Sequence, residues 1–168
     1  MEKEFSRRSF LKVGTTAALG LAVAPSMLMG RSKKKDAAPK PLDRKLKVLG
    51  VGIGGRGASV LKELETEEII GLCDVDWKYA AHVFERYPNA KRYNDYKVMY
   101  AELLDEADAV VVATADHTHA IIAAEAIVAG KHVYVGKPLT HTVYESRLLT
   151  KLAPKHQVAT RLGHPGAS

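Results

Sequence analysis

The 168-residue chain, 46% hydrophobic and 26% charged, has the length and composition of one globular domain with a single core. Its net charge of +6 lies in residues 1–35, which hold eight Lys or Arg against two Asp or Glu, whereas the rest of the chain holds 17 of each. Because nucleic-acid binding requires basic side chains gathered on a folded surface, this distribution argues against a nucleic-acid partner. Cys73 is the only cysteine, so the chain can form neither an intrachain disulfide nor a cysteine-based metal site. We expect Cys73 to be a small buried hydrophobic residue.

The first 30 residues have the pattern of an export signal rather than of a fold element. A charged start is followed by a run over 13–30 with no charged side chain. Residues 6–12, SRRSFLK, resemble the twin-arginine signature S-R-R-x-F-L-K. We therefore predict a twin-arginine signal peptide over 1–30, recognition by the twin-arginine translocase, and a periplasmic protein. An uncleaved membrane anchor is the alternative, since the uncharged run is about long enough to span a bilayer. Residues 31–45 are charged and contain proline, which predicts a solvated linker.

From residue 46 onward, short β-branched runs alternate with segments of helical period, which is typical of βαβ units around a parallel sheet. The predicted strands are 46–52, 68–73, 91–94, 107–114, 131–136 and 158–163, and the predicted helices are 56–65, 77–87, 95–104, 117–129 and 141–153. We expect Gly130 to cap the end of the fourth helix, Thr140 to cap the start of the fifth, and Pro154 to end or kink the fifth. The pattern predicts an α/β fold with a doubly wound parallel sheet over 46–168.

The segment GVGIGGRG at 50–57 joins the first predicted strand to the first predicted helix. It continues as GRGA, without the Gly-Lys-Ser or Gly-Lys-Thr of a nucleotide-hydrolase phosphate loop, which excludes that site. Gly52, Gly54 and Gly57 match the dinucleotide fingerprint G-x-G-x-x-G of a Rossmann domain. In that motif the first glycine makes the tight turn, the second lets the backbone approach a pyrophosphate, and the third lets helix and strand pack closely. The pyrophosphate would lie at the start of the helix, near Arg56.

An acidic residue follows the second predicted strand, 22 residues beyond Gly52. In that position Asp74 can accept hydrogen bonds from a ribose 2′-hydroxyl and would repel a 2′-phosphate, which favours NAD over NADP as the cofactor. A purely structural role, as the N-cap of the following helix, is the alternative for Asp74. Asp76 is the better placed of the two for that cap.

Two further stretches, TADHTHAIIAAEAIVAGKHVYVGKP at 114–138 and THTVYESRLL at 140–149, carry a resemblance to a known family. Together with GVGIGGRG and CDVD, they resemble the glucose-fructose oxidoreductase and inositol dehydrogenase family, Gfo/Idh/MocA. The resemblance covers nearly all of 46–168 and implies an N-terminal NAD-binding Rossmann domain. It also implies a C-terminal α/β substrate domain, absent from this sequence, that supplies most of the substrate pocket and the contacts of a homo-oligomer.

The resemblance also implies roles for individual residues. Lys137 and Pro138 match the family's E-K-P motif, whose lysine lies beside the nicotinamide and moves the proton of a sugar hydroxyl, but Gly136 replaces the glutamate. Because glycine is conformationally free, this replacement is expected to loosen the strand end that aims Lys137. An ordinary solvated lysine is the alternative for Lys137.

The loop that the family writes T-P-[DN]-x-x-H, near the nicotinamide ribose, corresponds to Thr114, Asp116 and His119, with Ala115 in place of the proline. These three residues are therefore expected to contact the cofactor, and Asp116 could also cap the helix that follows. A metal pair formed by His117 and His119 would need a third ligand that the sequence does not place, so no metal site is predicted.

These observations favour the cofactor-binding half of an exported NAD-dependent oxidoreductase that acts on a sugar or polyol hydroxyl by hydride transfer. Two alternatives remain open. Some relatives on this scaffold cleave glycosidic bonds with tightly bound NAD and no net redox change, and a truncated, non-catalytic dinucleotide-binding module would also fit the early end of the chain.

Overall fold

The computed structural model describes residues 43–163, which form strands and helices in strict alternation. The strands are β1 Lys47–Val51, β2 Glu68–Cys73, β3 Lys91–Tyr93, β4 Ala109–Val112, β5 His132–Gly136 and β6 Thr160–Gly163. The helices are α1 Ala58–Glu63, α2 Ala81–Arg86, α3 Tyr96–Leu103, α4 His119–Val128 and α5 Val143–Lys155. Helical turns at Ile53–Gly57 and Asp116–Thr118 precede α1 and α4. The predicted signal, and the predicted linker up to residue 42, lie outside these described residues.

All six strands belong to one parallel sheet with the order β3-β2-β1-β4-β5-β6. From β1 the chain proceeds outward through β2 and β3, then returns to the other side of β1 to add β4, β5 and β6. The strand order therefore reverses between β1 and β4. In open sheets of this kind the crevice beyond the carboxyl ends of the strands at that point is the usual ligand site.

Strand β4 shows why the sheet is covered on both faces. Successive side chains of a strand point to opposite faces. Val110 and Val112 pack into one hydrophobic cluster and Val111 into a second, and each of the three is at most 2% exposed. An all-apolar run of this kind is stable only between two helical layers, which confirms the doubly wound α/β fold.

The helix ends agree with the sequence at one predicted position and differ at two. Gly130 follows α4 with a φ of 76° and its N–H donates to the carbonyl of Ile127, as predicted for a C-cap. The predicted N-cap Thr140 is wrong, because Thr142 caps α5 in a reciprocal capping box with Glu145. Nor does α5 end at Pro154, since it continues to Lys155. Within residues 43–163, no helix combines the length and the apolar character needed to cross a bilayer.

A polar cluster ties the segment before β1 to the start of β4. The Arg44 guanidinium donates to both carboxylate oxygens of Asp108 at 2.6 and 2.7 Å, and the Lys47 N–H donates to Asp108 at 2.8 Å. These donors stabilise the ionised carboxylate, so they lower the pKa of Asp108 to about 2, with the Arg44 hydrogen bond as the largest cause.

Candidate functional site

A cleft of about 960 Å³ lies beyond the carboxyl ends of β1, β2 and β4, where the strand order reverses. Three of the residues predicted to bind a cofactor, Gly52, Asp74 and Thr114, line it. Each follows a different strand, so parallel strands that are distant in sequence bring the three together. The cleft is therefore the candidate site.

The glycine loop satisfies the steric demands of the fingerprint. Gly52 has a φ of 75°, and a β-carbon there would lie 2.6 Å from the backbone nitrogen of Thr114. A β-carbon on Gly57 would collide with the carbonyl oxygen of Gly52, and one on Gly54 would collide with the ring of Tyr79. Backbone atoms therefore exclude a β-carbon at Gly52 and Gly57, whereas one at Gly54 would have to displace the exposed Tyr79 ring.

The Asp74 carboxylate is held against the glycine loop. One oxygen accepts from the N–H of Gly54 at 2.8 Å, and the other accepts from the N–H of Asp76 at 3.0 Å. Each oxygen keeps capacity for a further hydrogen bond, which is what a ribose diol requires. The N-cap prediction is wrong for both aspartates, because Ala80 is the N-cap residue of α2. The Asp76 carboxylate instead accepts from the N–H groups of Lys78 and Tyr79, at 3.1 and 3.0 Å, in the turn before the helix.

The loop after β4 presents a threonine to the cleft. The hydroxyl oxygens of Thr114 and Thr118 lie 2.7 Å apart, and the Thr118 hydroxyl also lies 2.8 Å from the carbonyl oxygen of Ala115. Asp116 is exposed and does not line the cleft. Its alternative role as a helix cap is wrong, because Thr118 is the N-cap residue of α4.

His119 lies beneath the cleft rather than in it. Its ring is 1% exposed, with Nδ1 at 2.6 Å from the carbonyl oxygen of Pro138 and Nε2 at 3.0 Å from that of Thr114. A neutral imidazole has one N–H and donates to one of these carbonyls, whereas a doubly protonated ring donates to both. The side chain thus links the loop after β4 to the loop after β5, and any effect on a cofactor acts through those loops.

The predicted proton-transfer residue follows β5, beside the end of β4. Lys137 is exposed and does not line the cleft, and the same holds for Arg56. Gly136 is buried and pairs with Gly163 in the β5–β6 ladder. A β-carbon on Gly136 would have its nearest neighbour, His119 Cε1, at 3.5 Å, an ordinary contact. The backbone at this position therefore has room for a larger residue.

Sequence reasoning missed much of the cleft wall. The position of Asn94 and Asp95 at the end of a predicted strand was an available signal, but Tyr79 and Ile121 carried none, because their place depends on packing between distant segments. The missed lining residues are Val51, Gly55, Cys73, Val75, Tyr79, Asn94, Asp95, Tyr96, Val98, Ala113, Ala115, His117, Thr118, Ile121 and Ile122.

No group of three or more His, Cys, Asp or Glu side chains within residues 43–163 is arranged to hold a metal ion. Cys73 is buried, as expected, at the end of β2. Burial raises the pKa of its thiol to about 12, so the thiol stays protonated and unreactive at neutral pH.

A model of an oxidoreductase family with an NAD-binding Rossmann fold matches residues 45–164. The chain belongs to the Gfo/Idh/MocA oxidoreductase family. The resemblance seen in the sequence is confirmed. The cleft lies where the strand order reverses, which is where a Rossmann fold binds a dinucleotide. The observed cradle fits that cofactor, since Gly52 and Gly55 line the cleft without side chains and the Asp74 carboxylate keeps acceptor capacity for a ribose.

Curated proteins that match this chain are about 30% identical to it. An α-N-acetylgalactosaminidase of Shewanella oneidensis is 30% identical over 173 residues, covering 90% of this chain and 37% of its own length. A glycosyl hydrolase family 109 protein of Shewanella sp. strain MR-4 is 31% identical with the same coverage. The chain thus spans 37% of the length of these relatives.

Solved structures that were crystallised with NAD or NADH share the fold. GenD2 from gentamicin A biosynthesis, crystallised with NAD, superposes with a TM-score of 0.63 at 29% identity, covering 76% of this chain and 36% of its own. The WlbA dehydrogenase of Chromobacterium violaceum, crystallised with NADH and UDP-GlcNAcA, gives 0.64 at 26% identity, covering 76% and 37%.

Proposed function

We propose that this chain is the cofactor-binding part of an NAD-dependent oxidoreductase that acts on the hydroxyl of a sugar or polyol. The supporting observation is the cleft itself, in which Gly52, Asp74 and Thr114 meet at the reversal of strand order. The sugar assignment draws on the relatives, because WlbA was crystallised with a sugar nucleotide.

In this proposal each part of the chain has a separate task. Bound NAD would supply the acceptor for a hydride from the substrate carbinol carbon. The glycine loop would bind the pyrophosphate through backbone N–H groups, and Asp74 would orient the adenosine ribose through its free lone pairs. Lys137 Nζ would take the hydroxyl proton as the carbonyl forms, which requires its exposed side chain to meet substrate beyond the carboxyl end of β5.

An equilibrium titration of the full 168-residue chain with NAD tests the cofactor-binding part. We expect saturable binding that Asp74→Asn weakens about tenfold, because the variant loses the charged acceptor for the ribose. Asp105→Asn is the matched control, since that exposed carboxylate lies outside the cleft. Absence of saturable binding to the wild-type chain contradicts the proposal.

The names of the curated relatives favour a second function. Both matched relatives are named as glycoside hydrolases, so an NAD-dependent glycosidase with no net redox change is the competing proposal. To decide between the glycosidase and the dehydrogenase, the coding DNA is sequenced beyond the codon for Ser168, and the whole open reading frame is expressed. Release of sugar from an α-N-acetylgalactosaminide without accumulation of NADH supports the glycosidase, and NADH formation from a free sugar supports the dehydrogenase. Lys137→Ala should slow either reaction, whereas a non-catalytic module has no turnover to lose.

We also propose that the protein is exported through the twin-arginine translocase and that the complete protein forms a homo-oligomer. Export rests on SRRSFLK at residues 6–12. Fractionation of cells expressing the wild type and an Arg7→Lys, Arg8→Lys variant tests it, and periplasmic wild type with cytoplasmic variant is the expected result. Equal distribution of the two contradicts export by this route. Light scattering of the complete protein tests the oligomer, and a monomeric mass contradicts it.

A further inference from the structure

The side chain of Tyr79 lies over the middle of the glycine loop. Its ring blocks the position that a β-carbon on Gly54 would take, and its hydroxyl oxygen lies 3.2 Å from where a β-carbon on Gly55 would be. The Asp76 carboxylate accepts from the Tyr79 N–H at 3.0 Å and so holds the backbone of the turn that carries the ring. Tyr79 therefore lines the cleft in a defined position, although nothing in the sequence predicted this.

Tyr79 and Asp74 border the same stretch of the loop. The Asp74 carboxylate accepts from the N–H of Gly54, and the Tyr79 ring contacts the Cβ side of that same residue. The two charged residues that line the cleft are Asp74 and Asp95, and no Lys or Arg of the described chain is among the lining residues. This end of the cleft is thus lined by a carboxylate, glycine backbone and a phenol ring.

We propose that Tyr79 is a second determinant of the preference for NAD over NADP, acting beside Asp74 through the bulk of its ring. The inference rests on the cofactor role proposed for the cleft. The acid at the end of the second strand of such a domain receives the ribose 2′-hydroxyl, and a 2′-phosphate would have to occupy the space around the same carbon. Asp74 opposes that phosphate by charge, and the Tyr79 ring, which borders the same Gly54 that the Asp74 carboxylate contacts, narrows the space beside that carboxylate.

The ring contributes little to the fold itself. Tyr79 is 62% exposed, and within residues 43–163 its hydroxyl makes no hydrogen bond. Removing the side chain therefore deletes a cleft wall without opening the core. Tyr144, which is 76% exposed on α5 and away from the cleft, supplies a matched control for the loss of an exposed tyrosine.

The test is the pair of dissociation constants for NAD and NADP, measured by calorimetry on the full chain. We expect Tyr79→Ala to lower the ratio Kd(NADP)/Kd(NAD) about tenfold, a discrimination of the size that a few buried carbon atoms supply. Tyr79→Phe, which keeps the ring, and Tyr144→Ala should leave the ratio at the wild-type value. Tyr79→Leu should fall between wild type and Tyr79→Ala, and it carries the test alone if thermal unfolding shows that the alanine variant is not folded.

Repeating the two Kd measurements in an Asp74→Ser variant separates the effect of the Tyr79 ring from that of the Asp74 charge. If bulk and charge act separately, adding Tyr79→Ala to Asp74→Ser should lower the ratio again, whereas an unchanged ratio overturns the proposal. Equal weakening of both cofactors by Tyr79→Ala also overturns it, because the ring would then be a general binding surface. A wild-type chain that binds neither cofactor refutes the proposed function and this inference together, and that result is distinct from a changed affinity with an unchanged ratio.

Discussion

The buried ring of His119 links two loops at the carboxyl edge of the sheet, and His119→Phe removes that link while keeping an aromatic ring. Phenylalanine has no N–H, so the carbonyl oxygens of Thr114 and Pro138 lose the nitrogens that lie 3.0 and 2.6 Å away. A buried acceptor left without its donor costs about 1–3 kcal/mol. A neutral ring donates to one of these two half-buried carbonyls, so we take the low end of that range and expect the free energy of unfolding to fall by about 1 kcal/mol.

Urea denaturation of the full chain, followed by circular dichroism, measures this difference. His117→Phe is the control, because His117 is an exposed histidine two residues earlier, and we expect it to change the free energy of unfolding by less than about 0.5 kcal/mol. His119→Asn can place an amide N–H near the position of Nδ1, and His119→Gln can place one near that of Nε2. Each should regain part of the loss.

A His119→Phe chain as stable as the wild type would refute this reasoning, since the two carbonyls would then have no need of the ring. Equal losses for His119→Phe and His117→Phe would refute it as well. In that case the cost would come from adding phenylalanine to this segment rather than from the lost hydrogen bonds.

Four further predictions concern the glycine loop, the end of β5, the start of α5 and the dependence of stability on pH in the acid range. Gly52→Ala should abolish measurable NAD binding in a titration, because the φ of 75° and a contact at 2.6 Å forbid a β-carbon. Gly136→Ala should raise the free energy of unfolding by about 0.4–1 kcal/mol, because a β-carbon there makes only an ordinary contact and alanine has less freedom than glycine in the unfolded chain. Thr142→Ala should lower the free energy of unfolding in urea by about 1 kcal/mol, and Thr140→Ala by less, because Thr142 caps α5. The pKa of Asp108 is lower in the folded chain than in the unfolded chain, so its ionised form stabilises the fold at neutral pH. The stability advantage of wild type over Asp108→Asn should be constant above about pH 4 and should shrink as the pH falls towards 2.

Each of these predictions has an outcome that contradicts it. Normal NAD affinity in Gly52→Ala would mean that the loop can rearrange, and a destabilised Gly136→Ala would mean that the strand end has no room for a methyl group. A larger loss for Thr140→Ala than for Thr142→Ala would restore the cap predicted from the sequence. A pH-independent difference between wild type and Asp108→Asn would show that the ionised carboxylate adds no stability of its own.

The strands and helices were predicted well because the patterns that indicate them involve residues close together in the sequence. The strand over 68–73 was predicted with its observed bounds, and the cap at Gly130 follows from the backbone freedom of glycine alone. The start of α5 was misplaced because Thr140 and Thr142 both suit an N-cap. The choice between them depends on the reach of Glu145 back to the backbone of Thr142.

The candidate site was predicted only in part, because some of its residues are brought together by contacts between segments that are distant in the sequence. Gly52, Asp74 and Thr114 could be found because each follows a strand in a recognisable pattern. Their roles as cofactor ligands stay predictions, as do those of Gly54, Arg56, Gly57, Asp116, His119 and Lys137. The burial of His119 and the position of Tyr79 depend on contacts between segments that no local pattern connects.

By itself the sequence determined the fold class, the alternation of strands and helices, and the glycine loop that joins β1 to α1. It could do so because hydrophobic periodicity, the backbone freedom of glycine and the direction of parallel strands are each set by residues within one strand–helix–strand unit. Only the tertiary structure decided which side chains face the cleft, because that depends on how distant segments pack. Packing placed the Tyr79 ring on the glycine loop, buried the His119 ring between two carbonyls and left Lys137 exposed outside the cleft wall.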